Sequence, residues 1–125
     1  MTPEQWKLIR HFSPHEFDSP DSPGSGRNMQ WSIVSKLDSI RSTIGQPMVV
    51  NSGYRTPEHN DEVGGVDGSA HSEGYAVDIA CRVSRLRFLI IQAALDVGIS
   101  RIGIARTFVH LDTDPSKPVQ VAWLY

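Results

Sequence analysis

The chain has 125 residues, is 39% hydrophobic and carries a formal net charge of -2, with 12 Lys and Arg against 14 Asp and Glu. That length suits one compact domain with a single modest core and leaves no room for a second. The near-balanced charge, without a clustered Lys/Arg stripe, argues against a nucleic-acid or anionic-membrane surface, and the lone cysteine, Cys81, excludes an internal disulfide.

The opening segment "MTPEQWKLIRHF" lacks the apolar core of a signal peptide, and no run is long enough to span a bilayer, so synthesis in the cytoplasm without membrane insertion is expected. Residues 3 to 11 read as a short helix opening at Pro3. From Phe12 to Asn28 the chain is dense in Pro, Ser, Asp and Gly, which predicts a long loop, and loops of that length are usually functional or disordered. The aromatic set Trp6, Phe12, Phe17 and Trp31 is expected to pin this loop to the domain. Ile33, Leu37, Ile40 and Ile44 recur at helical spacing and predict a helix over about 29–44, stopped by Gly45 and Pro47.

Met48 to Asn51 reads as a short buried strand leading into a turn at Ser52 and Gly53. Thr56 can cap one or two helical turns that begin at Pro57 and close at Gly64 and Gly65. Ser84 is a candidate cap for a second long helix, whose stripe of Leu86, Leu89, Ile90, Ala93, Ala94 and Val97 ends at Gly98. "RIGIA", "TFVHLDT" and "VQVAWLY" predict three short strands. The expected class is α+β, a small antiparallel sheet flanked by two main helices in one domain over residues 1–125.

Strand phase locates the chemistry. From Tyr75 to Cys81, alternation sends Tyr75, Val77, Ile79 and Cys81 to a core-like face and Ala76, Asp78 and Ala80 to a small, acidic one. Cys81 thus lies opposite Asp78 and reads as a buried small hydrophobe. The same arithmetic sends Val109 and Leu111 one way and Phe108, His110 and Asp112 the other. Taken singly, His71 can be a polar loop residue, Asp78 a strand-end carboxylate and His110 a hydrogen-bonded core histidine. Together, two imidazoles and one carboxylate with an open fourth position form a standard catalytic zinc set.

The segments "SGYR" at 52–55, "NDEVGGVDGSAHSEGYAVDI" at 60–79 and "FVHLD" at 108–112 resemble the zinc D-alanyl-D-alanine carboxypeptidase family, grouped with the lysostaphin-like and hedgehog-like metallopeptidases. The similarity is to short phage- or prophage-type members. Its central piece, Ser-x-His-x-x-Gly-x-Ala-x-Asp, falls on Ser69, His71, Gly74, Ala76 and Asp78. The resemblance implies that His71, Asp78 and His110 hold Zn2+, that Arg55 holds a substrate carboxylate or steadies an oxyanion, and that Ser69 contacts substrate or orients the His71 loop. Arg55 as a surface ion pair and Ser69 as a turn hydroxyl remain as structural alternatives.

The implied activity is hydrolysis of bacterial peptidoglycan peptides, as a D,D-carboxypeptidase or an endopeptidase of endolysin type, with a zinc-activated water as nucleophile. Many relatives carry Glu or Asp three residues before the last zinc histidine, and others in the superfamily a histidine two before it; here those positions hold Thr107 and Phe108. Asp112 is the best remaining general base, on the side of His110 and about 7 Å along the strand, or else an acceptor that orients His110. Glu73 and His59 are lesser candidates. The competing class is a non-catalytic wall-binding or phage tail module of the same fold; a metal enzyme acting on another amide is a third. A monomer is expected, reaching the wall through phage-mediated release or delivery.

Overall fold

A computed structural model describes residues 1–125. Helix α1 (Pro3–Trp6) is followed by two 3-10 turns (Pro14–Phe17 and Ser25–Asn28), then α2 (Trp31–Ile44), β1 (Val50–Ser52), α3 (Pro57–Glu62), β2 (Ala76–Ala80), α4 (Ser84–Asp96), β3 (Arg101–Ile104), β4 (Phe108–Asp112) and β5 (Val121–Leu124). The strands form one sheet in the order β1-β2-β4-β3-β5. The α+β expectation is met, with one departure: β3 and β5 run parallel, while the other three pairings are antiparallel. The chain leaves β4 at Asp112, passes the start of β3 at Arg101, and enters β5 at Val121, which pairs with Arg101. No helix is long and apolar enough to cross a membrane.

The core lies between the helices and one face of the sheet. Ile33, Val34, Leu37 and Ile40 of α2 and Ile90, Ala93 and Ala94 of α4 pack against Val77, Ile79, Val109, Leu111 and Ile102. The alternation of β2 and β4 therefore holds, since burial of one face fixes strand phase. Cys81 joins this core, as expected of a small hydrophobe.

Several boundaries move for identifiable reasons. Helix α1 stops at Trp6 rather than residue 11, because the amides of Arg10 and His11 are captured by the Asp38 carboxylate of α2 at 3.0 and 2.8 Å. Met29 lies outside α2: it is extended, fully buried, and bonds through its amide to Gly26. Val83, not Ser84, occupies the cap position of α4, and no side chain caps that end.

The 12–28 segment is an ordered wall rather than a loose loop. Phe17 is fully buried against Trp6 and Phe12, with ring centroids 5.8 and 5.7 Å away. Trp31 takes no part, being 37% exposed. Asp18 accepts the amides of Gly24 and Gly26, and a Cβ at Gly26 would lie 1.9 Å from the Pro14 carbonyl oxygen. Gly53 is equally constrained, since a Cβ there would lie 2.8 Å from the backbone of Phe17.

Candidate metal centre

The sheet face opposite the core carries a row of residues in register. Ser52 pairs with Asp78, Asp78 with His110, His110 with Gly103, and Gly103 with Trp123. Two neighbours in this row, Asp78 and His110, are donor residues. His71 comes from the preceding turn, which folds back over β2: Tyr75 N–H donates to Ala70 O, and Gly74, at φ +79°, reverses the chain where its Cβ would meet the Asn28 carbonyl oxygen at 2.3 Å.

One ligand atom from each of His71, Asp78 and His110 lies within 4.8 Å of the other two, and all three residues are buried. His71 Nε2 and His110 Nδ1 approach the same carboxylate oxygen, Asp78 Oδ1, at 3.3 and 2.9 Å. The remaining ring nitrogens are already engaged. His71 Nδ1 is 2.8 Å from the Gly53 carbonyl, and His110 Nε2 is 2.7 Å from Asp112 Oδ2. Histidines that bind metals characteristically give their second nitrogen to a carbonyl or carboxylate, which fixes the tautomer and aims the free nitrogen. Two imidazole nitrogens and a carboxylate oxygen converging in this way fit a divalent metal of the zinc type.

The electrostatics agree. Burial would raise the Asp78 carboxyl, but hydrogen bonds from His110 and His71, and their charge, hold it well below the usual carboxylate range. Burial would lower the His110 imidazole, yet its bonds to Asp112 and Asp78 raise it. Asp112 is likewise depressed: against the opposing effect of burial stand His110, the Asp114 amide and Arg101.

The site opens on a cleft of about 420 Å³ lined by both histidines, both aspartates, Arg55, Arg101, Phe108, Trp123 and Tyr125, with the Val63–Val66 turn on one rim. Arg55 reaches Asp78 Oδ2 at 3.3 Å and Ser52 Oγ at 3.0 Å, so it faces the cleft. Ser69 Oγ accepts the His71 amide at 3.2 Å, which ties it to the His71 turn.

Across residues 10–112 the chain matches the family model described as Peptidase M15. The chain belongs to the peptidase M15 family. No curated protein matches it. Family membership and the His-Asp-His cluster make this M15 chain a metallopeptidase with a site able to hold a metal.

In this M15 chain Thr107 and Phe108 bring no ionisable group to the cleft. Thr107 is exposed away from the cleft, its carbonyl accepting the Cys81 amide, and Phe108 presents an apolar ring. Glu73 is exposed outside the cleft, and His59 lies beside Glu62 at 3.7 Å. Asp112 is 1% exposed and both of its oxygens are engaged, Oδ2 by His110 and Oδ1 by Arg101 Nε at 2.7 Å and the Asp114 amide at 3.1 Å. Its contact with His110 Nε2 is the one an orienting acceptor would make.

Arg101 and Trp123 line the same cleft, a placement that strand phase alone does not reveal. Arg101 pairs with Asp112 across the β3–β4 hairpin and lies over the Trp123 ring at 5.3 Å, while that ring lies 5.3 Å from His110. The register of a tight hairpin was the available signal: counting back from the 105–107 turn puts Arg101 opposite Asp112. Replacing Asp112 by alanine should leave the direct ligands in place but free the His110 ring. Metal affinity is expected to fall about 10- to 100-fold, as read by competition against a chromophoric chelator.

Proposed function

We propose that the protein is a zinc-dependent peptidase that hydrolyses peptide bonds of bacterial peptidoglycan. One observation supports this reading above the others: three donor atoms converge at the floor of an open cleft, with the second nitrogen of each histidine already held. Zinc bound there would lower the pKa of its water toward neutrality and polarise the scissile carbonyl.

The chain's own groups then have distinct tasks. Gly53 O and Asp112 fix the two imidazoles, and Arg101 holds Asp112 in place. Arg55, whose guanidinium reaches into the cleft beside Asp78, offers a planar fork to a substrate carboxylate. Ser69 steadies the His71 turn. Because the substrate lies beyond the cytoplasmic membrane, phage-mediated release or delivery in a virion is the matching route.

The absence of a base at Thr107 and Phe108, with both Asp112 oxygens occupied, favours a second reading: a zinc-containing module that binds wall peptides without cutting them. Mass analysis of defined muropeptides incubated with zinc-loaded protein separates the two. The peptidase reading expects a discrete product set, lost in His71→Ala; intact muropeptides that nonetheless bind would establish the module.

A further inference from the structure

Strand β5 lies outside the residues matched to the M15 family, yet the segment it begins carries two aromatic rings into the cleft. Their seat is Gly103, which stands in register between His110 and Trp123. A Cβ at Gly103 would lie 2.6 Å from Tyr125 Cε2 and 2.7 Å from Trp123 Nε1. The Cε2 edge of the tyrosine ring, adjacent to the carbon that bears the hydroxyl, therefore rests on the strand position next to His110. Paired Cα atoms in an antiparallel sheet are about 4.5–5.5 Å apart, so this edge sits roughly one residue's width from a metal-site histidine.

The ring is braced from two sides. Its centroid is 4.9 Å from Phe108 and 6.5 Å from Trp123. Two other cationic groups around the cleft are committed elsewhere: Arg101 to Asp112 and Pro118 O, and Lys117 to Asp114 and Gly68 O. Ser69 is buried under the His71 turn. Tyr125 lines the cleft and is 65% exposed.

We propose that Tyr125 is a catalytic residue, its O–H donating a hydrogen bond to the carbonyl oxygen of the scissile peptide, where negative charge grows as water adds. This rests on the peptidase reading above. Partial burial raises the Tyr125 hydroxyl, a hydrogen bond from Trp123 and the charge of Arg55 oppose that, and the charges of Asp78 and Asp112 add to the rise, so the group keeps its proton at neutral pH and can serve as a donor. A donor aimed at a developing oxyanion is among the largest single contributions to acyl-transfer catalysis.

Tyr125→Phe removes the hydroxyl while keeping the ring on Phe108 and Trp123, and unchanged tryptophan bands in the near-UV dichroism spectrum verify that packing. Calorimetry on zinc-loaded wild-type and Y125F proteins compares two ligands: a dipeptide phosphinate, whose tetrahedral oxygens imitate the oxyanion, and the uncleaved peptide amide of the same sequence. The phosphinate should bind about 10- to 100-fold more weakly to Y125F, the amide within about twofold, and kcat on muropeptides should fall about 100-fold with KM nearly unchanged. Equal phosphinate affinity in the two proteins, or a wild type that does not bind phosphinate, overturns the assignment. Muropeptides left intact by a wild type that does discriminate phosphinate through Tyr125 would sink the peptidase reading and the catalytic role with it, leaving Tyr125 as a donor to tetrahedral ligands only.

Discussion

Asp78→Ala should yield a protein that retains no metal and cuts no muropeptide. The Asp78 carboxylate is the common acceptor of the site, with His71 Nε2 and His110 Nδ1 at one oxygen and Arg55 at the other. Truncation removes one of three ligands and leaves the buried His71 and His110 rings and the Arg55 guanidinium without their shared partner. Breaking a buried pair from one side costs roughly 3–5 kcal/mol, so the loss should appear in the metal-free protein too. Elemental analysis after dialysis should give about one zinc per wild-type chain and well under a tenth of that for the variant. Chemical denaturation in chelator should show the destabilisation separately. Full metal retention by Asp78→Ala would remove this residue from the ligand set.

Gly74→Ala is expected to be strongly destabilising, and its effect follows from two independent constraints. The residue sits at φ +79°, which disfavours any L side chain, and the added carbon would meet the Asn28 carbonyl oxygen at 2.3 Å. That contact cannot be relieved by rotating a side chain, because the Asn28 segment is fixed by the Gln30 amide donating to Gly74 O at 2.9 Å. Backbone strain of this kind costs about 1–3 kcal/mol, and the collision should take the total to about 3 kcal/mol or more. Gly45→Ala is the matched control, since Gly45 is at φ +66° with nothing within 4 Å of the added carbon. Thermal melts should place Gly45→Ala about 1 kcal/mol below wild type and Gly74→Ala well below that. Equal losses would mean that the Asn28 segment yields freely.

Much of this site is legible from alternation alone. Period-two phase puts Asp78 and His110 on one sheet face, and the same rule puts Val77, Ile79, Val109 and Leu111 into the core. Partners contributed by other strands are harder to read. The Arg101 contact to Asp112 depends on hairpin register, and the place of Trp123 beside His110 depends on a parallel pairing that no local pattern encodes. The Gly53 carbonyl that fixes His71 is backbone and has no side-chain signature. Composition marks residues 12–28 as loop but is blind to the distant contacts that order them: Phe17 under Trp6, Gly26 against Pro14, and Tyr54 N–H donating to Phe17 O. Trp31 shows the converse: aromatic identity groups it with the rings that pin the 12–28 segment, yet it is 37% exposed.

The in-register row from Ser52 to Trp123 also makes the centre a gauge of correct strand pairing. A slip of β4 by one residue would turn His110 and Asp112 inward and present Val109 and Leu111 to the cleft, so no partially aligned sheet retains partial affinity. Metal capture and correct folding are then two readings of one equilibrium: an ion at 100 times its dissociation constant adds about 2.7 kcal/mol to the native sheet and nothing to a misregistered one. A chain that folds in the presence of metal is in that sense proofread by its own ligand.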